Sequence, residues 1–224
     1  MPLARVQHQS LEASVYEAVR DSIISGDLRP GDPLVEAQLS ADLGISKTPV
    51  REALIRLARD GLVVQELHRR SRVATPTVED VRQACEIRRW VEAEIAAQAA
   101  RDAPAELLKQ LEVSIRESER SLKRRDTRHW AEAVGSFTDT LLDFSGNRYA
   151  ADLLERMRNV LSLIANVSQV APGRRSRSIE EHRAILEAIR KRDSDGAAAA
   201  TRAHLSSIEA DSLQALEQVL ADGT

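Results

Sequence analysis

A single cysteine, Cys85, stands in 224 residues, so no disulfide can close within the chain. That usage fits a reducing compartment, and a cytoplasmic protein is the expectation. Aromatic residues make up only 3% of the chain, so Leu, Ile, Val and Ala must fill the core. Glycine is scarce too, and a chain rich in Ala, Leu, Glu and Arg favours helices, where those side chains lose little rotamer freedom. No apolar run approaches the ~20 residues needed to cross a bilayer. The opening residues MPLARVQHQS lack the apolar stretch of a signal peptide. Enzymatic motifs are missing as well. There is no Gly-rich phosphate loop and no HExxH pattern, and nothing in the sequence marks a partner that would activate Cys85. A metal-dependent helical-bundle enzyme is therefore disfavoured.

What remains is 42% hydrophobic and 30% charged, the balance of a globular chain. The net charge of −3 argues against a generic DNA coat, but its distribution is uneven. Between Ile45 and Arg72 stand Lys47, Arg51, Arg56, Arg59, Arg69, Arg70 and Arg72 against only Glu52, Asp60 and Glu66. A basic patch on an acidic body suits a protein that meets phosphates with one surface.

Apolar periodicity predicts a first helix over 11–25, with Val15, Val19, Ile23 and Ile24 on one face. Gly26 stops it, and Leu28 to Pro33 reads as a turn. Short helices follow over 36–43 and from Lys47 to about Gly61, the second with Ser46 as N-cap and Pro49 in its first turn. Leu62 to Leu67 and Arg72 to Thr75 read as a β-hairpin with a polar, basic tip at His68 to Ser71. Beyond the Thr75-Pro76-Thr77 linker everything reads as helix, over about 78–100, 104–125, 128–145, 147–170, 175–192 and 194–221. The predicted fold class is mainly α: a winged helix-turn-helix over residues 1–76, then an all-helical bundle of about six helices over 77–224.

Two short helices joined by a tight turn are the minimum for reading a major groove: one braces, the other presents its N-terminal residues to base edges. Leu39, Leu43 and Ile45 are expected to pin the brace. Lys47, Thr48 and Arg51 are expected to face the groove, and an arginine there can bond guanine O6 and N7 together. The alternative for Arg51 is a salt bridge with Glu52 or another acid. The stretch LSADLGISKTPVREALIRLARDGLV resembles the helix-turn-helix of the GntR family, and DLRPGDPLVE resembles its lead-in turn. The resemblance implies DNA contacts at Lys47, Thr48 and Arg51, and a wing whose tip, His68, Arg69 and Arg70, enters the minor groove. The chain departs from the family pattern with Lys47 where arginine is usual, and with Arg70-Ser71 where the wing tip usually has glycine.

From Val78 onward the chain resembles the C-terminal domain of the FadR subfamily, through Glu86-Ile87-Arg88-Arg89-Trp90-Val91-Glu92, Ser145-Gly146-Asn147, the Glu181 to Ile189 stretch and Ala203-His204-Leu205. Such domains often hold a metal on an aspartate and three histidines. The resemblance places His182 and His204 at the last two ligand positions, which would suit zinc or nickel. Val134 and Thr138 fall at the first two. It also implies a pocket for a small organic acid, with Arg88 as the carboxylate fork and Thr138, Asn166, His182 and His204 adding hydrogen bonds. The alternative for Arg88 is an ion pair with Glu92, four residues on. The implied partners are a palindromic double-stranded operator, a small organic acid and a second copy of the chain. A constitutive DNA-binding regulator with no effector is the competing reading.

Overall fold

A computed structural model describes residues 10–66, 70–169 and 171–222. Helix α1 (Leu11–Ser25) is opened by Ser10, whose hydroxyl accepts from the Ala13 amide, and is closed by Gly26 in the left-handed region at φ 82°. Strand β1 (Pro33–Leu34), α2 (Glu36–Leu43), α3 (Lys47–Arg59), β2 (Val63–Glu66) and β3 (Arg70–Val73) complete the N-terminal part. Ser46 takes the N-cap position of α3, but its hydroxyl makes no capping bond.

The sheet runs in the order β1-β3-β2, with both pairs antiparallel. Its two-residue edge strand falls in a stretch read from sequence as part of a turn. Pro33 pairs opposite Arg72 on that edge, where a missing N–H costs the sheet nothing. The hairpin also closes later than expected. Gln65 pairs with Ser71 and Glu66 with Arg70, so Arg70 and Ser71 belong to the strand and not to the tip. His68 and Arg69 lie outside the described residues, as does the side chain of Arg70.

Val15, Val19 and Ile23 of α1 pack with Val50, Leu54 and Leu57 of α3 and with Leu62, Val63 and Val73 of the hairpin. Leu39 and Ile45 lie against this core, but Leu43 is 40% exposed and does not pin α2 as expected. An eight-residue helix offers few inward positions, and Leu43 is its last residue.

Among the described residues six helices follow: α4 (Val78–Asp102), α5 (Ala105–Arg124), α6 (Thr127–Ser145), α7 (Arg148–Ser168), α8 (Arg174–Arg190) and α9 (Ser194–Asp222). A capping box between Thr77 and Asp80 opens α4. The most extensive packing in the molecule joins α4 to α9. The alanines suit it: Ala93 and Ala97 of α4 cluster with Ala198 of α9, and small residues let helix axes approach closely. Phe137, Leu111, Ile185 and Ile189 fill the bundle core.

The N-terminal part rests directly on the bundle. Leu163 of α7 is buried within the N-terminal core. The Asn159 side-chain amide donates to the Asp60 carbonyl at 2.6 Å. Asn166, 2% exposed, donates to the carbonyls of Ile23 at 2.9 Å and Leu28 at 2.8 Å. On α6, Arg128 pairs with Asp21 of α1 at 3.1 Å.

Candidate DNA interface and buried pocket

Helix α3 exposes Lys47 and Thr48 in its first turn, with Arg51 partly exposed one turn later. A helix N-terminus favours phosphate by itself, because its first amides are unpaired and its dipole is positive there. Lys47, Arg51, Ser71 and Arg72 line a groove of about 500 Å3 together with Glu36 and the β1 residues. Arg72 is anchored in it by a bond from Nη1 to the Gly31 carbonyl at 3.2 Å. Arg51 is held as well. Its Nε donates to Oε1 and Oε2 of Glu36 at 3.0 and 3.2 Å, and Nη2 donates to Oε2 at 2.8 Å. Those bonds raise the Arg51 pKa further above its ordinary value and keep it charged. The acid that pairs with Arg51 is thus Glu36 on α2 and not its sequence neighbour Glu52. Arg56 is engaged elsewhere: its guanidinium lies 4.0 Å over the Tyr16 ring and reaches Glu12 at 3.4 Å.

In the bundle, α8 and α9 bring His182 and His204 together, with ring centroids 4.8 Å apart. Phe137 of α6 stacks on His182 at 4.2 Å with the planes 9° apart. His204 Nδ1 meets Glu181 Oε2 at 2.6 Å, and Arg174, 2% exposed, pairs with Glu181 and reaches Asp211 at 3.2 Å and Ser207 Oγ at 2.5 Å. A carboxylate at Nδ1 accepts a hydrogen bond there, so a neutral His204 carries its hydrogen on Nδ1. Burial pushes both imidazoles below their usual range. His182 is lowered well below 6.5, with His204, Arg174 and Arg88 adding to the effect of burial. His204 is lowered less simply, since Glu181 opposes its burial.

The two rings border a cavity of about 20 Å3, lined also by Glu92, Phe137, Thr138, Leu154 and Thr201. That volume holds about one water. Arg88 stands nearby, with Nε donating to Glu92 Oε1 at 2.5 Å and Nη2 to Oε2 at 3.2 Å. The i,i+4 ion pair is therefore formed. Asn166 is not at this cavity. Its expected role as a pocket hydrogen-bonder is corrected: the amide is spent on the carbonyls at the end of α1.

The residues do not fit a tightly held metal. Val134 packs against the apolar core, and among the described residues no three His, Cys, Asp or Glu side chains converge on one point as a metal-ligand set would.

Both halves of the chain match known sequence families. The FCD domain profile matches residues 83–207, and that of the bacterial regulatory proteins of the gntR family matches residues 11–75. The chain belongs to the GntR family, with a C-terminal FCD domain. This GntR-family chain is 27% identical to the HTH-type transcriptional repressor RspR of Escherichia coli over 216 residues, 96% of this chain and 93% of that protein. It is equally close to the HTH-type transcriptional regulator YdhC of Bacillus subtilis, over 93% of this chain and 92% of that one. Among solved structures, a GntR regulator from Rhodococcus sp. RHA1 superposes with a TM-score of 0.75 at 26% identity, covering 92% of this chain and 98% of its own. Escherichia coli McbR/YncC shares the fold, at a TM-score of 0.69, 21% identity and coverage of 94% and 99%. The GntR-family chain is a DNA-binding transcriptional regulator and not an enzyme. Among the described residues no helix is long and apolar enough to cross a membrane.

Sequence reasoning missed Glu36, Glu181 and Arg174. Glu181 had a signal, since it immediately precedes His182. Glu36 and Arg174 had none beyond their charge.

Proposed function

We propose that the chain is a ligand-responsive repressor. A homodimer holds a palindromic operator through α3 and the hairpin, and a small organic acid entering the bundle cavity changes that grip. The observation that carries this reading is α7. Leu154 near its start lines the cavity. Asn159, Leu163 and Asn166 further along hold the N-terminal part. Twelve residues of helix, about 18 Å, join the two ends as one rod. A ligand that pushes on Leu154 therefore acts on the seat of α1 and α3, and it shifts the population of arrangements by its preference for one of them.

Lys47, Thr48 and Arg51 are the proposed major-groove contacts, and His68, Arg69 and Arg70 the minor-groove wing. His182, His204 and Thr138 are the proposed effector contacts, with Arg88 as carboxylate fork once the acid displaces Glu92. Repression is carried over from RspR, a transcriptional repressor. Association of two copies is supported by Trp90 on α4, 67% exposed, since a large exposed aromatic commonly marks a contact surface. Two recognition helices one DNA turn apart would then require a palindrome.

The test is a thermal-shift panel of small carboxylic acids on the purified protein, with chelator and with added zinc. Stabilisation that survives chelator supports the metal-free pocket, and His182→Ala should then alter the effector response more than DNA affinity. Stabilisation that needs zinc refutes it. The small cavity and the internally paired Arg88 favour a second reading, a constitutive regulator, which a wholly silent panel would support.

A further inference from the structure

Glu36 and Arg51 are fifteen positions apart, on the two helices that make up the helix-turn-helix. A guanidinium carries five N–H donors in one rigid plane. Glu36 takes the side edge, through Nε and one hydrogen of Nη2. The end edge, with one hydrogen each of Nη1 and Nη2, takes no bond among the described residues. That edge matches the paired acceptors O6 and N7 of guanine.

We propose that Glu36 is a specificity-determining positioning residue for DNA reading. It fixes the plane of Arg51 so that the end edge points outward for a base. It also withholds the guanidinium from indiscriminate phosphate contact. The groove itself supports the second effect: among the described residues that line it Glu36 is the one acid, set against Lys47, Arg51 and Arg72. Phosphate neutralisation supplies the sequence-independent part of affinity, and each cation so used steepens its salt dependence. A carboxylate in the middle of three cations weakens that part and leaves the base-specific part to dominate.

The inference rests on reading Arg51 as a base contact, and a double-mutant cycle separates the two claims. The probes are duplexes selected from a random pool on the parent protein, and one mixed-sequence duplex. Glu36→Gln should tighten binding to the mixed duplex a few-fold and loosen binding to the selected one. The specificity ratio should fall by about tenfold, the scale of losing one good bidentate base contact. In an Arg51→Ala background the same substitution should change the ratio by less than about twofold.

Glu36 also opens α2, where a carboxylate favours the helix dipole whatever Arg51 does. Equal losses in both backgrounds would assign it that role alone and overturn the proposal. An unchanged ratio for Glu36→Gln in the parent would overturn it too. If Arg51→Ala alone spares the ratio, the base-contact reading fails first. Circular dichroism checks the fold of each variant, and should Glu36→Gln melt α2, Glu36→Asp keeps the charge with a shortened reach and should lower the ratio in the parent background only.

Discussion

Asn166→Ala should destabilise the protein by about 2–3 kcal/mol. The side chain is 2% exposed, and its Nδ2 donates to two main-chain carbonyls of the N-terminal part. The Ile23 carbonyl also receives the Gly26 amide at 3.2 Å, so it keeps a donor after the substitution. The Leu28 carbonyl has no second donor among the described residues. The Leu28 contact is part-buried, so an acceptor left there without a donor costs about 1–2 kcal/mol, the lower part of the range for a buried one, and the other lost bond adds roughly 1 kcal/mol. For a chain of this size, each kcal/mol lowers Tm by about 2–4 °C, so a drop of roughly 5–10 °C is expected in a scanning calorimeter. Asn166→Asp should be worse, because it sets a carboxylate against two carbonyl oxygens where an amide hydrogen had been. Limited proteolysis at the Thr75-Pro76-Thr77 link should accelerate in both variants, since the clamp that seats the N-terminal part is gone. A Tm within 2 °C of the parent for Asn166→Ala would refute the clamp.

Other tests follow from the same geometry. His182 and His204 stay neutral in the folded chain below 6.5, while the unfolded chain takes up protons there. Stability should thus fall as pH drops below about 6.5, by up to ~1.4 kcal/mol per pH unit for each histidine. Urea titrations at pH 7.5 and 5.5 measure this, and His182→Gln should flatten the slope; an identical slope in that variant would assign the loss to other groups. Burial and the bond to Asp60 at 2.6 Å push Tyr16 up to about 12. Ultraviolet titration should therefore show a phenolate transition near pH 12 that Tyr16→Phe lacks, and the same transition in the variant would contradict the assignment. Arg51→Ala should cut discrimination between selected and mixed duplexes by about tenfold, the scale of one bidentate base contact, with the fold unchanged, and near-parental discrimination would remove Arg51 from the reading surface.

The elements were legible where local chemistry decides them. Gly26 and Gly44 end α1 and α2 in left-handed turns, and Thr77 with Asp80 announces α4. The pairing of Arg88 with Glu92 was visible as an i,i+4 spacing. Contacts made by tertiary approach were not legible. Asn166 meets carbonyls about 140 positions away, so a polar residue in an apolar helix pointed to the nearest polar cavity instead. Arg51 had an acid beside it in sequence, but adjacent residues on a helix do not face each other, and Glu36 arrives only through the turn between α2 and α3. The size of the cavity was equally hidden, because it depends on how Phe137, Leu154 and the two imidazoles close on one another.

The scarcity of aromatics leaves two tryptophans in opposite settings, Trp90 at 67% exposed and Trp130 at 4%. Trp130 lies in the bundle core with the Arg175 guanidinium 5.5 Å over its ring. The chain therefore carries two built-in fluorophores that differ in colour and in access to quenchers. Iodide should extinguish the red-shifted emission of Trp90, and a second copy seated on α4 would protect it. The blue-shifted emission of Trp130 should ignore iodide until the bundle opens. Unlabelled protein can thus report association and bundle opening as separate optical signals.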